Sequence, residues 1–205
     1  MKILLATHNK GKIRRYKSLF SCFSDLELIS LEEMGIRLKV DEPFNSPAEN
    51  SVHKAREYGN FSNLPTIAID EAVLTNFLPD NEQPGVFVRR LKKGAELNDQ
   101  EVLTTWKEIF STYPNQDLKF IWDFRMSYYE PITKKIKTAR ATQIDSVAKN
   151  FSTLIDPGYP MSSFLIPEGL NTTYSELTIE EYLSVDKINL KSFINFMDNI
   201  LHTND

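Results

Sequence analysis

The residues able to do chemistry in this 205-residue chain are lysines and carboxylates gathered in its first 71 positions. Lys10 and Lys12 follow a short apolar run, and Lys54 falls within a helical stretch. The carboxylates are Asp41, Glu42, Glu49, Asp70 and Glu71. Hard oxygen ligands beside phosphate-binding lysines suit Mg2+, which takes one or two carboxylates plus substrate phosphates. A metal with a carboxylate-activated water is a sound design for attack on a phosphate chain.

Other chemistries lack their signatures. "NKGK" (9–12) has neither the first glycine nor the Ser/Thr of a Walker A loop. His8, His53 and His202 are scattered without zinc spacing. There is no nucleophile elbow, and Cys22 stands alone. These absences favour chemistry without a covalent intermediate. Each charged residue also has an ordinary role open to it. Glu49 can cap a helix, Lys54 can be a solvated helix lysine, and Asp70 and Glu71 can end a strand in a turn. Lys10, Lys12, Arg14, Arg15 and Lys17 can form a solvated face that pairs with acids elsewhere.

The elements that must position these residues follow from periodicity. Lys2 to Thr7 reads as a short apolar strand, His8 to Gly11 as a turn, and the next stretch as a helix with Ile13, Tyr16, Leu19 and Phe20 on one face. Cations in a first helical turn oppose the macrodipole, whereas a strand, a turn and a helix N-terminus together suit an anion. Leu26 to Ser30 is a second strand. Ser46-Pro47-Ala48-Glu49 starts a helix that puts Asn50 and Lys54 on one face. "LPTIAID" (64–70) is a buried strand closed by Asp70, and ligands of open α/β sheets gather at such ends. Asn98 to Glu101 opens a third helix, 118–144 forms a hairpin turning at Glu130-Pro131, and Thr178 to Glu181 opens a short helix. Residues 187–201 form an amphipathic helix. This order predicts an α/β fold with a mixed sheet.

Composition bounds the rest. The chain is 41% hydrophobic and 25% charged with a net charge of −4, which suits a soluble globular domain of one or two lobes. That balance gives no general reason to bind nucleic acid or an anionic membrane. The first apolar run is far too short for a signal peptide, and no segment approaches the ~20 apolar residues of a membrane span. A cytoplasmic location is expected.

Taken together, five blocks resemble the inosine triphosphate pyrophosphatase family. "LLATHNKGKIRRYKSLF" resembles its opening strand-turn-helix, built on Thr-x-Asn-x-x-Lys, which places Thr7, Asn9 and Lys12. "EPFNSPAENSVHKA" resembles its Glu followed by Phe-x-Glu-Asn-Ala-x-x-Lys-Ala, which places Glu42, Glu49, Asn50, Lys54 and Ala55. "LPTIAIDEAVL" is similar to Leu-Pro-x-x-Ala-Asp-Asp-Ser-Gly-Leu, and "QPGVFVRRL" to Pro-Gly-x-Tyr-Ser-x-Arg. "DPGYPMSSFLIPEGLNTTYSELTIEEY" resembles Phe-Gly-Tyr-Asp-Pro-x-Phe-x-Pro-x-Gly followed by Thr-x-x-Glu-Leu. The blocks lie within 3–91 and 156–182.

The resemblance implies a single domain over 1–205, with an elongated mixed β-sheet flanked by helices and two lobes around a cleft. It implies Mg2+-dependent hydrolysis of a nucleoside triphosphate, of the ITP, dITP or XTP kind, to the monophosphate and pyrophosphate, by a homodimer. Carried over, Asn9, Lys12 and Lys54 hold phosphates, Thr7 joins the substrate-binding set, and Lys54 counts with Asp70 as catalytic. Glu42 binds metal, Asp70 binds metal or orients the attacking water, and Gly158 and Tyr159 keep the base-side block.

Departures from the pattern are concentrated. His8 replaces a turn glycine, and Ile69, Glu71 and Ala72 replace an Asp, the Ser and the Gly of the acidic block. Pro157 and Pro160 replace the stacking Phe and the base-bonding Asp, Tyr182 replaces a Lys, and "SVDKI" (184–188) lacks the Ser-His-Arg. Phosphate handling is thus retained more fully than purine selection. Two readings follow: a pyrophosphatase of altered base specificity, and a catalytically weak paralogue that binds nucleotides or serves structurally.

Overall fold

The computed structural model describes residues 1–89, 96–114 and 117–202. Strand β1 (Lys2–Leu5) runs parallel to β2 (Glu27–Ser30) and to β3 (Thr66–Thr75), with Leu5 opposite both Ser30 and Ile67. Its Ile3, Leu4 and Leu5 are all fully buried. A strand covered on both faces carries a continuous apolar run rather than an alternating one, as parallel sheets require. The sheet continues through the hairpin of β4 (Lys119–Tyr129) and β5 (Ile136–Val147) to β6 (Leu165–Pro167), in the order β2-β1-β3-β4-β5-β6. β6 pairs antiparallel with β5, so the sheet is mixed.

Helix starts carry their caps. α1 (Lys10–Leu19) is capped by Asn9, and α2 (Pro47–Ser62) by Ser46 with Pro47 in its first turn. α3 (Asp99–Ser111) has the reciprocal box of Asn98 and Glu101. α4 (Ile179–Asn189) opens with Thr178 and Glu181 bonded to one another's backbone N–H groups.

Two compact units result: residues 1–71, 123–141 and 186–205 form one, and 72–122 with 142–185 the other. In the first, Leu4, Ala6, Leu31, Ile36, Ala55, Tyr58, Ala68 and Tyr129 make a core cluster. Gly59 is required there, because a Cβ at that position would lie 2.5 Å from the Tyr129 ring. In the second, Phe120 meets Trp106 and Phe110 edge-on, with Trp106 and Phe120 centroids 4.8 Å apart, Phe164 meets Phe110 edge-on, and Trp106 stacks on Phe110.

Two expectations are corrected. The helix read over 187–201 is instead the end of α4 and a separate α5 (Lys191–His202). The junction residue Leu190 is fully buried, whereas Ile188, counted on the apolar stripe, is 76% exposed. The Asp186 carboxylate is turned inward to Arg15, and that sets a different phase for α4. Second, Arg15 does not belong to a solvated face. It is buried, forks onto Asp186 at 2.7–3.1 Å and lies 5.2 Å over the Phe124 ring.

Candidate active site

The first unit builds its polar site at the start of α1. Thr7 Oγ1 accepts from the Asn9 N–H (3.1 Å), and Asn9 Oδ1 accepts from the Lys12 N–H (3.1 Å). The two residues read as phosphate ligands therefore also shape the turn and cap the helix. Their neighbour His8 bonds through Nε2 to the Leu38 carbonyl at 2.8 Å, and Tyr58 donates to that carbonyl at 2.9 Å. A carbonyl only accepts, so this contact puts the His8 proton on Nε2. His8 thus ties the turn to the segment leading to Glu42.

The capped helix presents Lys12, whose Nζ is 3.3 Å from Glu71 Oε1 with both side chains largely buried. β3 extends past Asp70 to Thr75, so the replacement acid Glu71 is still in the strand and reaches the lysine. One helix away, Lys54 is buried on α2. Its Nζ donates to Glu42 Oε1 (2.7 Å), Asp70 Oδ1 (3.0 Å) and the Ile69 carbonyl (3.2 Å). Lys54 is therefore no solvated helix lysine. Glu49, by contrast, is exposed at the first turn of α2, where its N–H donates to Ser46 Oγ at 3.3 Å.

Electrostatics at the pair is unbalanced. Burial pushes the Asp70 carboxyl above its ordinary value, and Glu42 adds to that push. The ammonium groups of Lys54 and Lys12 pull the other way without cancelling it. Burial works to lower the pKa of Lys12, but Glu71, Asp70, Tyr16 and Glu42 outweigh it, so the ammonium is held above the ordinary lysine value. Asp70 Oδ2 and Glu71 Oε2 are buried with no hydrogen-bond partner among the described residues. Unpaired buried carboxylate oxygens are costly unless something else binds them. Their chemistry fits a hard cation or an ordered water. Among the described residues no group of three or more His, Cys, Asp or Glu could hold a metal by itself. A cation here would need donors from substrate or water, as Mg2+ in phosphate sites does.

The other two expected ligands, Gly158 and Tyr159, belong to the second unit. Tyr159 N–H donates to the Asp156 carbonyl at 2.8 Å, with Pro157 and Gly158 at the corners and Gly158 at φ 89°. That is the pattern of a type II turn, which explains proline where a stacking aromatic was expected. Arg90 and Leu91 of the fourth block lie outside the described residues. Motif reading missed two groups. Arg89 and Asp99 bond to Gly158, and a buried network joins Gln143, Asp145 and Tyr174. None of these stands in a motif position, and apart from Gln143 with Asp145 the contacts join residues far apart in sequence.

An α/β protein with a mixed sheet, a capped helix start and a buried lysine–carboxylate cluster is of the kind that handles phosphorylated small molecules. The Ham1 family model matches residues 3–187, and the chain belongs to the Ham1 family. It is 26% identical over 200 residues to a dITP/XTP pyrophosphatase of Wigglesworthia glossinidia brevipalpis, covering 97% of this chain and 98% of that protein. A dITP/XTP pyrophosphatase of Escherichia coli O157:H7 is 32% identical over 114 residues, which spans 56% of this chain and 55% of the relative. The fold is that of a HAM1 protein from Coxiella burnetii, at TM-score 0.75, 20% identity and 98% coverage of both chains. The Staphylococcus aureus Ham1 protein superposes at 0.71, with 21% identity and 98% coverage of both chains.

Proposed function

We propose that the chain is a nucleoside triphosphate pyrophosphatase that hydrolyses a (d)NTP to the monophosphate and pyrophosphate, with base specificity altered from the ITP, dITP and XTP preference. The observation that carries this is that buried Asp70 and Glu71, held by Lys54 and Lys12, each keep one carboxylate oxygen without a hydrogen-bond partner among the described residues. In this reading Asp70 takes the proton of a water attacking the α-phosphorus. The bond from that phosphorus to the bridging oxygen breaks, and pyrophosphate leaves. Lys12 and Lys54 balance phosphate charge, Thr7 and Asn9 shape the phosphate turn, and Gly158 and Tyr159 meet the nucleoside side.

We assign Mg2+ as the metal, held by Glu42 and Asp70. When bound it supplies neutralisation of phosphate charge and acidification of water. We take the active form to be a cytoplasmic homodimer whose partner is the nucleotide rather than nucleic acid or a membrane. The net charge of −4 supports the exclusion of nucleic acid, and no helix among the described residues is long and apolar enough to cross a membrane.

The test is pyrophosphate release with Mg2+ from a panel of ITP, dITP, XTP and the common triphosphates. Release that disappears in Asp70→Asn, with nucleotide binding retained, is the expected result. A second reading, a nucleotide-binding paralogue of low activity, draws on Ile69 in place of an acid and on Pro157 and Pro160. Calorimetric binding without release from any nucleotide selects that reading. Neither binding nor release overturns both.

A further inference from the structure

Within the second unit, the main chain of Gly158 is held at both polar groups by one ion pair. Arg89 donates from Nη2 to Asp99 Oδ1 (2.8 Å) and to the Gly158 carbonyl (3.0 Å). Asp99 Oδ2, the other carboxylate oxygen, accepts from the Gly158 N–H at 3.1 Å. Arg89 is itself steadied by its Nη1, which donates to the Leu97 carbonyl at 3.3 Å. The result is a closed ring of charge-assisted hydrogen bonds around a single residue, the stronger kind of hydrogen bond.

The anchor of that ring is rigid. Asp99 is the first residue of α3, next to the Asn98 cap, so its carboxylate sits at the favourable end of the helix dipole. α3 is rooted by Val102, Leu103 and Trp106, all buried. What the ring holds is the Pro157–Gly158 turn, where proline restricts φ and Gly158 occupies a left-handed conformation. Neither Pro157 nor Pro160 offers a donor or a ring face. With the Gly158 N–H and carbonyl and the Tyr159 N–H all bonded within the unit, what this turn offers a nucleobase is its fixed shape and the Tyr159 ring. A surface selects between bases only as far as it is fixed, because a loose one follows whichever base arrives.

We infer that Arg89 and Asp99 are positioning residues that fix the Pro157–Gly158 turn and thereby set which nucleobase the chain accepts. This rests on the reading above that Gly158 and Tyr159 meet the nucleoside side of a triphosphate. In that reading Arg89 and Asp99 act on base selection and not on phosphate binding.

The test compares Asp99→Asn, which keeps the side-chain shape, Arg89→Met and Arg89→Lys with the wild-type chain. For each, KM, kcat and calorimetric affinity are measured across nucleoside triphosphates that differ only in base, with thermal melting as a check on folding. Inorganic tripolyphosphate with Mg2+, which has no base, is the control ligand. The expected result is a KM increase of about tenfold for the preferred nucleotide in Asp99→Asn and Arg89→Met, with discrimination between bases flattened. Affinity for tripolyphosphate stays within about twofold of wild type. Arg89→Lys falls between, because an ammonium keeps the charge but not the fork. An unchanged ratio between bases, or an equal loss on tripolyphosphate, overturns the inference and leaves the pyrophosphatase reading standing. A wild-type chain that treats all bases alike does the same. A wild-type chain that neither binds nor cleaves any nucleotide overturns the pyrophosphatase reading, and this one with it.

Discussion

Lys54 Nζ donates to Asp70 Oδ1 at 3.0 Å, and that one-sided grip leaves Asp70 Oδ2 buried without a hydrogen-bond partner among the described residues. The lysine fixes the carboxylate's orientation and supplies opposite charge without using its second oxygen. A carboxylate with both oxygens tied would be a strut. One with a free, buried oxygen and a raised pKa can take a proton or a metal. Glu71 repeats the arrangement on Lys12, with Oε1 in the ion pair and Oε2 unpartnered.

Asp70→Asn is expected to lower kcat by ~10²–10⁴, the usual worth of a general base, while nucleotide affinity persists. A pH titration checks the assignment. Burial holds the Asp70 carboxyl above the ordinary aspartate value of about 3.9. In the Mg2+-free chain its carboxyl therefore titrates above that value, in a signal that Asp70→Asn removes. Titration at or below the ordinary value would take away the raised proton affinity on which the role of base rests.

Lys54→Met takes one cation from two carboxylates and strands a buried Asp70, so the loss in stability is expected at ~3–5 kcal/mol by urea unfolding. The sign of its pH dependence follows from Asp70. Without the pull of Lys54 its folded pKa rises further above the unfolded value. Its contribution is then most favourable at low pH and is lost as pH rises through the folded pKa. The variant is accordingly more destabilised at pH 7 than at pH 4, and adding Asp70→Asn recovers part of the loss at pH 7.

Much of this fold is legible in the sequence because local rules and tertiary structure agree. Ser46-Pro47 and Asn98 to Glu101 are caps that work through contacts within four residues, so their helices begin where the residue types say. The hairpin turn after Tyr129 is similarly local, closed by the Glu130 N–H on the Lys135 carbonyl. What was not legible depends on partners far along the chain. The cations of α1 look alike in sequence, yet Lys12 finds Glu71, Arg15 finds Asp186 and Lys17 finds Glu33. β6 is three residues long and exists only as a partner for β5, so no periodicity announces it. At the site, residue types showed that lysines and acids were present. Which lysine is buried against which acid required the fold.

Arg15 and Asp186 make the clearest case of such a distant pair. Their side chains are 7% and 2% exposed, so removing one partner leaves an uncompensated buried charge. Arg15→Met is expected to cost ~3–5 kcal/mol, and Asp186→Leu about as much. The double variant Arg15→Met/Asp186→Leu recovers most of the loss, because an apolar pair of similar volume needs no compensation. Chemical denaturation of the three variants measures the coupling, and simple additivity would show that the pair is not coupled.

Lys17 and Glu33 form the contrasting, half-exposed pair, and pH separates its parts. Glu33 accepts from Lys17 Nζ at 2.7 Å, from the Ser30 N–H at 2.7 Å and from Ser30 Oγ at 2.8 Å. The hydrogen bond from Lys17, then those from Ser30, lower its pKa from 4.5 to about 2. The Glu33 side chain is 52% exposed, so water and salt screen the ion pair, and Glu33→Gln is expected to cost under ~1 kcal/mol at pH 7. A depressed carboxyl stabilises the fold above its unfolded pKa and loses that contribution as pH falls through the folded one. The gap between wild type and Glu33→Gln therefore narrows between pH 4.5 and about 2. Raising salt to ~1 M, where the screening length is about 3 Å, weakens the Lys17 part and spares the shorter-range bonds from Ser30. A gap that stays constant from pH 7 to 2 would mean that Glu33 acts by packing rather than by charge.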